Sequence, residues 1–197
     1  MADRRRNVLA RAHRRALQRR SLDGRQPQLR DIVEIDLAQK AHVDGHPEDW
    51  LIEPKKMWRH KGRFPLDIIP RFVETPEGLW LEEPAHPDRV SPAFLKTNNE
   101  QSLYLIQPEA FRIYIREDSF AGKTTKKRRG IFTYRGTQYD LGLTDPKMQE
   151  KYFPNFKQRS EGWVDPGPNP VSALCISLTP VFESTGYHYK LVAAVFE

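Results

Sequence analysis

Residues Thr124–Pro146, TTKKRRGIFTYRGTQYDLGLTDP, constrain the fold more than any other stretch of this chain. A basic run leads into Ile131-Phe132-Thr133-Tyr134, whose β-branched and aromatic side chains suit a pleated surface. Arg135-Gly136-Thr137 is a short, glycine-bearing connection of the kind hairpins use. Tyr139, Leu141 and Leu143 then alternate with Gln138, Asp140 and Gly142, the period of two expected of a half-buried strand. Thr144-Asp145-Pro146 ends it, since proline cannot donate to a ladder and aspartate favours a turn. The stretch predicts a β-hairpin at the centre of a small β-domain, with a basic flank.

Composition narrows the rest. The 197 residues suffice for one ordinary domain or two very small ones. Sixteen prolines and eleven glycines spread through most of the chain argue against long helices beyond residue 30. No apolar run approaches the roughly 18 residues of a membrane helix, and no secretory signal is visible. One cysteine, Cys175, allows neither an internal disulfide nor a Cys-rich zinc site. A cytoplasmic protein without membrane association is expected.

The net charge of +6 is unevenly placed. Residues 1–30 hold ten arginines against two aspartates, a net of +8, whereas residues 31–197 carry a net of −2. A nucleic-acid argument for the globular part therefore rests on local patches. Residues 112–135 form one, with eight Lys and Arg against Glu117 and Asp118.

Along the chain, residues 4–20 read as a helix with Val8, Leu9, Ala12, Ala16 and Leu17 near one face and arginines around the rest. Three readings stay open: a solvated or disordered basic tail, an arm for phosphates or an acidic partner, and a transit-type presequence. Asp31–Leu37 reads as one strand, Asp49–Pro54 as a short buried segment, and Trp58–Arg63 as a basic loop. Pro65–Pro70 reads as a helical turn, and residues 74–92, with four prolines and Trp80, as a linker between two lobes. Gln101–Ile106 and Phe111–Arg116 resume strand character. In the second, Phe111, Ile113 and Ile115 face one way and Arg112, Tyr114 and Arg116 the other. Pro146–Phe156 reads as a short helix or loop, and residues 160–170 as turns. Leu174–Leu178 and Tyr187–Phe196 read as the last two strands, joined through a turn at Thr185-Gly186. The core is expected at Ile32, Val33, Ile35, Phe111, Ile113, Leu141, Leu143, Ile176, Leu191 and Val192.

The order DIVEI, DWLIEP, SLYLI, a basic hairpin ending in YDLGLTDP, then LCISL and YKLVAAV resembles the bacterial dual OB-containing domain family over roughly residues 27–197. The resemblance implies a mainly β fold of two linked small OB-like β-barrels with few short helices. With the Arg-rich residues 1–25 read as a basic arm, the resemblance implies a first OB-like lobe at 26–98 and a second at 99–197. It also implies nucleic-acid binding, in a bacterial defence or conflict context. The chain departs from the family at its start, where a short apolar strand is usual and this sequence is Arg-rich. A first barrel lacking a strand, an arm in the strand's place, and a misassigned gene start would all read this way.

The residues point to no enzyme. No serine elbow, P-loop, HExxH, CxxC or dinucleotide fingerprint is present. Gly122-Lys-Thr124 resembles the end of a Walker motif, but its first glycine would fall at Glu117 and a strand follows. His42, His46 and Asp49 match no standard zinc spacing. Asp140 and Asp145 flank a strand end as nuclease ligands sometimes do; turn-capping by Asp145 and a solvent-facing Asp140 are the simpler account. No cofactor or metal is expected.

For single-stranded DNA or RNA, OB folds use aromatics on a sheet face beside a basic groove. Arg112, Tyr114 and Arg116 offer that pairing, with Lys126, Lys127, Arg128, Arg129 and Arg135 in the neighbouring hairpin. Trp58, Arg59, Lys61 and Arg63 offer a second patch. Set against this, Tyr114 fits an ordinary amphipathic surface tyrosine, and the 126–129 run fits a solvated flank. An OB-type protein-interaction module is the alternative, and the −2 balance favours it.

Overall fold

The central hairpin forms. In the computed structural model β8 (Lys123–Tyr134) and β9 (Thr137–Leu143) pair antiparallel from Tyr134↔Thr137 to Arg129↔Gly142. Arg135 and Gly136 between them have φ of 49° and 74°. Both central residues left-handed is the type I′ geometry, which matches the strand twist and explains the glycine. The structure describes residues 27–28, 30–83, 85–98, 101–120, 122–165 and 171–197; the Arg-rich arm expected at 1–25 lies outside them. The described residues form two compact units, one holding the chain up to Ala41 with Asp49–Asp67, the other His42–Glu48 with Ile68–Glu197.

In the second unit the basic run 124–129 is part of β8 itself, which pairs with β7 (Ala110–Phe120) along its whole length. The remaining strands are β5 (Arg89–Val90), β6 (Leu103–Ile106), β10 (Gly162–Val164), β11 (Ala173–Leu178) and β12 (His188–Phe196). The sheet runs β10-β7-β8-β9-β12-β11-β6, with β5 also on β12. All pairs are antiparallel except β9 with β12. Two short helices occur among the described residues, α1 (Pro92–Asn98) and α2 (Pro146–Tyr152). No helix among them is long and apolar enough to cross a membrane.

Alternation decides which side chains go inside. Ile113 and Ile115 of β7, Phe132 and Tyr134 of β8, Tyr139, Leu141 and Leu143 of β9, and Ile176 and Val192 are all buried. Phe132 stacks on Tyr139 at 5.2 Å. Phe111 and Leu191 are only partly buried. Asp145 caps α2 by accepting from the Lys147 and Met148 amides, as its place before a proline suggested.

The mainly β class holds, but the sheets do not close into barrels among the described residues, because the strand at each end finds no strand partner on its outer side. At β6, Glu74 covers the edge: its amide donates to the Leu105 carbonyl at 2.7 Å and its carboxylate accepts from the Leu105 amide at 3.0 Å. Residues 74–92 are not a linker. Leu79 and Trp80 lie in the core, where Trp80 packs on Tyr104 at 4.6 Å and donates to the Gln101 carbonyl. Residues 68–98 consequently pack with the second unit, a different cut from the 98/99 boundary expected.

The first unit holds two separate two-stranded sheets, β1 (Asp31–Glu34) with β4 (Arg59–Arg63), and β2 (Leu37–Lys40) with β3 (Trp50–Ile52). The stretch 31–37 is therefore two strands, because its halves pair with different partners and a bulge at Ile32/Val33 breaks the alternation. Ile32, Leu37, Trp50 and Leu51 are exposed, contrary to the buried strand and segment expected, and Val33 and Ile35 are half-buried. Among the described residues of this unit no apolar side chain is fully buried. The basic loop expected at Trp58–Arg63 is β4 itself, and the helical turn expected at 65–70 is a 3-10 helix, Leu66–Phe72.

Candidate nucleic-acid interface

Pairing across β10, β7, β8 and β9 builds one row of side chains. Trp163 lies opposite Tyr114, Tyr114 opposite Arg129, and Ile131 opposite Asp140. Directly opposed residues share a sheet face, so Trp163, Tyr114, Arg129 and Asp140 line the same side. Arg112 and Arg116 join them two residues either way along β7. Behind this row Ile113 and Ile115 face the core.

At one end of the row the aromatics and a cation gather. The Trp163 ring is 51% exposed and carries the Arg112 guanidinium 3.6 Å from its centre. Tyr114 meets the same ring edge-on at 4.9 Å. The Tyr114 hydroxyl donates to Glu161 Oε1 at 2.9 Å, and that bond, ahead of desolvation, raises its pKa above the ordinary phenol value.

At the other end the cations are paired. Asp140 accepts from Arg116 Nη2 at 2.7 Å and Arg129 Nε at 2.6 Å. Lys127 pairs with Asp118 at 2.5 Å, and this bond holds the Asp118 carboxyl below its usual range. The face thus carries five cations, Arg112, Arg116, Lys127, Arg129 and, at the start of β8, Lys123, against three carboxylates, Asp118, Asp140 and Glu161. Such a face attracts phosphate only weakly, and stacking is its stronger capability.

The basic run does not act as one patch, because alternation sends its members to opposite faces. Lys127 and Arg129 lie with Tyr114. Lys126 lies on the other side, donating to the Lys157 and Arg159 carbonyls and pairing with Glu117 at 3.2 Å. Arg128 stacks there on Phe156 at 3.8 Å, and burial lowers its pKa. These two side chains hold the segment after α2 against the sheet. Arg135 stands exposed in the β8–β9 turn. The second patch belongs to the first unit, where Glu34 and Asp36 pair with Arg59 and Glu34 with Lys61. The Lys61 and Arg59 bonds lower the Glu34 pKa. Trp58 is half-buried and its indole nitrogen has no hydrogen-bond partner among the described residues, and Arg63 is exposed opposite Asp31.

Sequence reasoning missed Trp163, Glu161 and the double pairing of Asp140. The alternation Glu161-Gly-Trp-Val164 is a faint strand signal inside a turn-rich stretch, and only the pairing with β7 places it beside Tyr114. Among the described residues no group of three or more His, Cys, Asp or Glu is arranged to hold a metal.

No curated protein and no solved structure matches the chain. The model of one family, described as dual OB-containing domain, matches residues 6–195, so the likeness reaches into the Arg-rich start where a departure was expected. The match spans nearly the whole sequence, and the chain belongs to the dual OB-containing domain family.

Proposed function

We propose that the protein is a non-enzymatic, cytoplasmic module that binds single-stranded DNA or RNA on the face bearing Trp163, Tyr114 and Arg112. The exposed indole, already overlain by a flat cation, carries this reading: a surface that stacks a guanidinium also stacks a base. Family membership supports it, since OB folds bind single strands with aromatics on a sheet face. The near balance of charge favours binding led by stacking, with a shallow salt dependence. The family likeness suggests a bacterial defence or conflict setting. A protein partner is the second reading, favoured by Asp140 and Asp118, which occupy three of the five cations on the face.

The test is titration of labelled DNA and RNA oligonucleotides with the full chain at low salt. Tyr114→Ala should weaken binding about tenfold or more, as loss of an aromatic platform does, with the salt slope unchanged. Absence of binding to any oligonucleotide would leave the protein-partner reading.

A further inference from the structure

Glu161 is out of place on a surface that serves only phosphates and stacked rings. It repels phosphate, yet it sits two residues before the exposed Trp163 and is oriented by the Tyr114 hydroxyl on Oε1. Among the described residues its Oε2 has no partner. An ionised carboxylate is an acceptor only, and two oxygens side by side ask for two adjacent donors. Base edges differ sharply in what they offer it. Cytosine and adenine present one amino group beside an acceptor nitrogen, and uracil or thymine presents one N–H between two acceptors. Guanine alone presents N1–H and the N2 amino group next to each other.

Resting on the binding reading above, the geometry points to Glu161 as a specificity-determining residue that selects guanine stacked on Trp163. Trp163 supplies the platform and holds any base. Glu161 accepts from the guanine N1–H and N2 amino group. Tyr114 fixes the carboxylate through its hydroxyl, and Arg112, displaced from the indole by the incoming base, supplies positive charge for the adjoining phosphate.

The experiment uses the full chain and thymidine oligonucleotides that differ at one central position: guanine, hypoxanthine, adenine, cytosine or thymine. The guanine strand should bind about tenfold or more tighter than the thymine strand, the scale of one bidentate base contact. Hypoxanthine, which keeps N1–H but lacks the amino group, should fall between. Glu161→Gln, which turns one acceptor into a donor at an exposed position, should abolish the preference while binding of the other strands holds or tightens. Tyr114→Phe, which keeps the ring and frees the carboxylate, should reduce the preference. Equal binding of all five strands by the wild type, or a guanine preference that survives in Glu161→Gln, would overturn the inference and leave the single-strand reading standing. No binding to any of these strands or to the same series in RNA would overturn both.

Discussion

Arg129 bonds Asp140 twice, through Nε to Oδ1 at 2.6 Å and through Nη2 to the backbone carbonyl. Arg116 takes the remaining carboxylate oxygen at 2.7 Å. Two guanidiniums on one carboxylate reproduce the arrangement that would grip a phosphate, with Asp140 in the phosphate's place.

Asp140→Asn should therefore tighten single-strand binding and steepen its salt dependence. Freeing about one cation changes the slope of log affinity against log salt by about −0.7. The measurement is a set of binding isotherms between low and moderate salt. An unchanged slope would mean that phosphates do not approach Arg116 and Arg129.

Asp145 ties the end of the hairpin to the last strand. Its Oδ1 caps α2 and its Oδ2 accepts from the Val195 amide at 2.8 Å, in a buried position. Asp145→Ala removes the cap and leaves that amide unsatisfied, which should cost about 2–4 kcal/mol in all. Urea unfolding checks this. Lys147→Ala, at the exposed start of the same helix, should be nearly neutral.

Lys190 is buried, and its ammonium donates to the Pro87 carbonyl at 2.9 Å. Burial lowers its pKa from 10.5 to about 8, against the opposing pull of Asp88 and Glu82. The folded protein thus releases this proton before the unfolded chain does. Between pH 8 and 10 the unfolded state binds more protons, so stability should rise with pH, by up to about 3 kcal/mol over the full shift. The buried phenols of Tyr134, Tyr139 and Tyr152, raised first by desolvation, work the other way above pH 10. Lys190→Met should remove the rise, as read by urea midpoints at successive pH values.

The hairpin was legible because its signals are local: a glycine in a turn and a strict period of two from Tyr139 to Leu143. Arg112, Tyr114 and Arg116 were placed on one face by the same period. What could not be read depends on partners far along the chain. Trp163 sits in a three-residue strand among prolines and glycines, and only its register against Tyr114 gives it a role. Lys126–Arg129 reads as one basic patch when counted, but a strand splits it between two faces. Asp31–Leu37 reads as one strand, yet its halves belong to different sheets. Trp80 was lost in the opposite way, its prolines suggesting a linker where the chain is packed into the core.

The central claim is that the Trp163 face takes the bases of a single strand. Its most direct test compares the wild type with Trp163→Ala and Lys126→Gln in oligonucleotide binding across a salt series. Loss of the half-exposed indole should weaken binding about tenfold or more with the salt slope unchanged, while Lys126→Gln, on the opposite face, should bind as the wild type does. Full affinity in Trp163→Ala, or a loss confined to Lys126→Gln, would contradict the account.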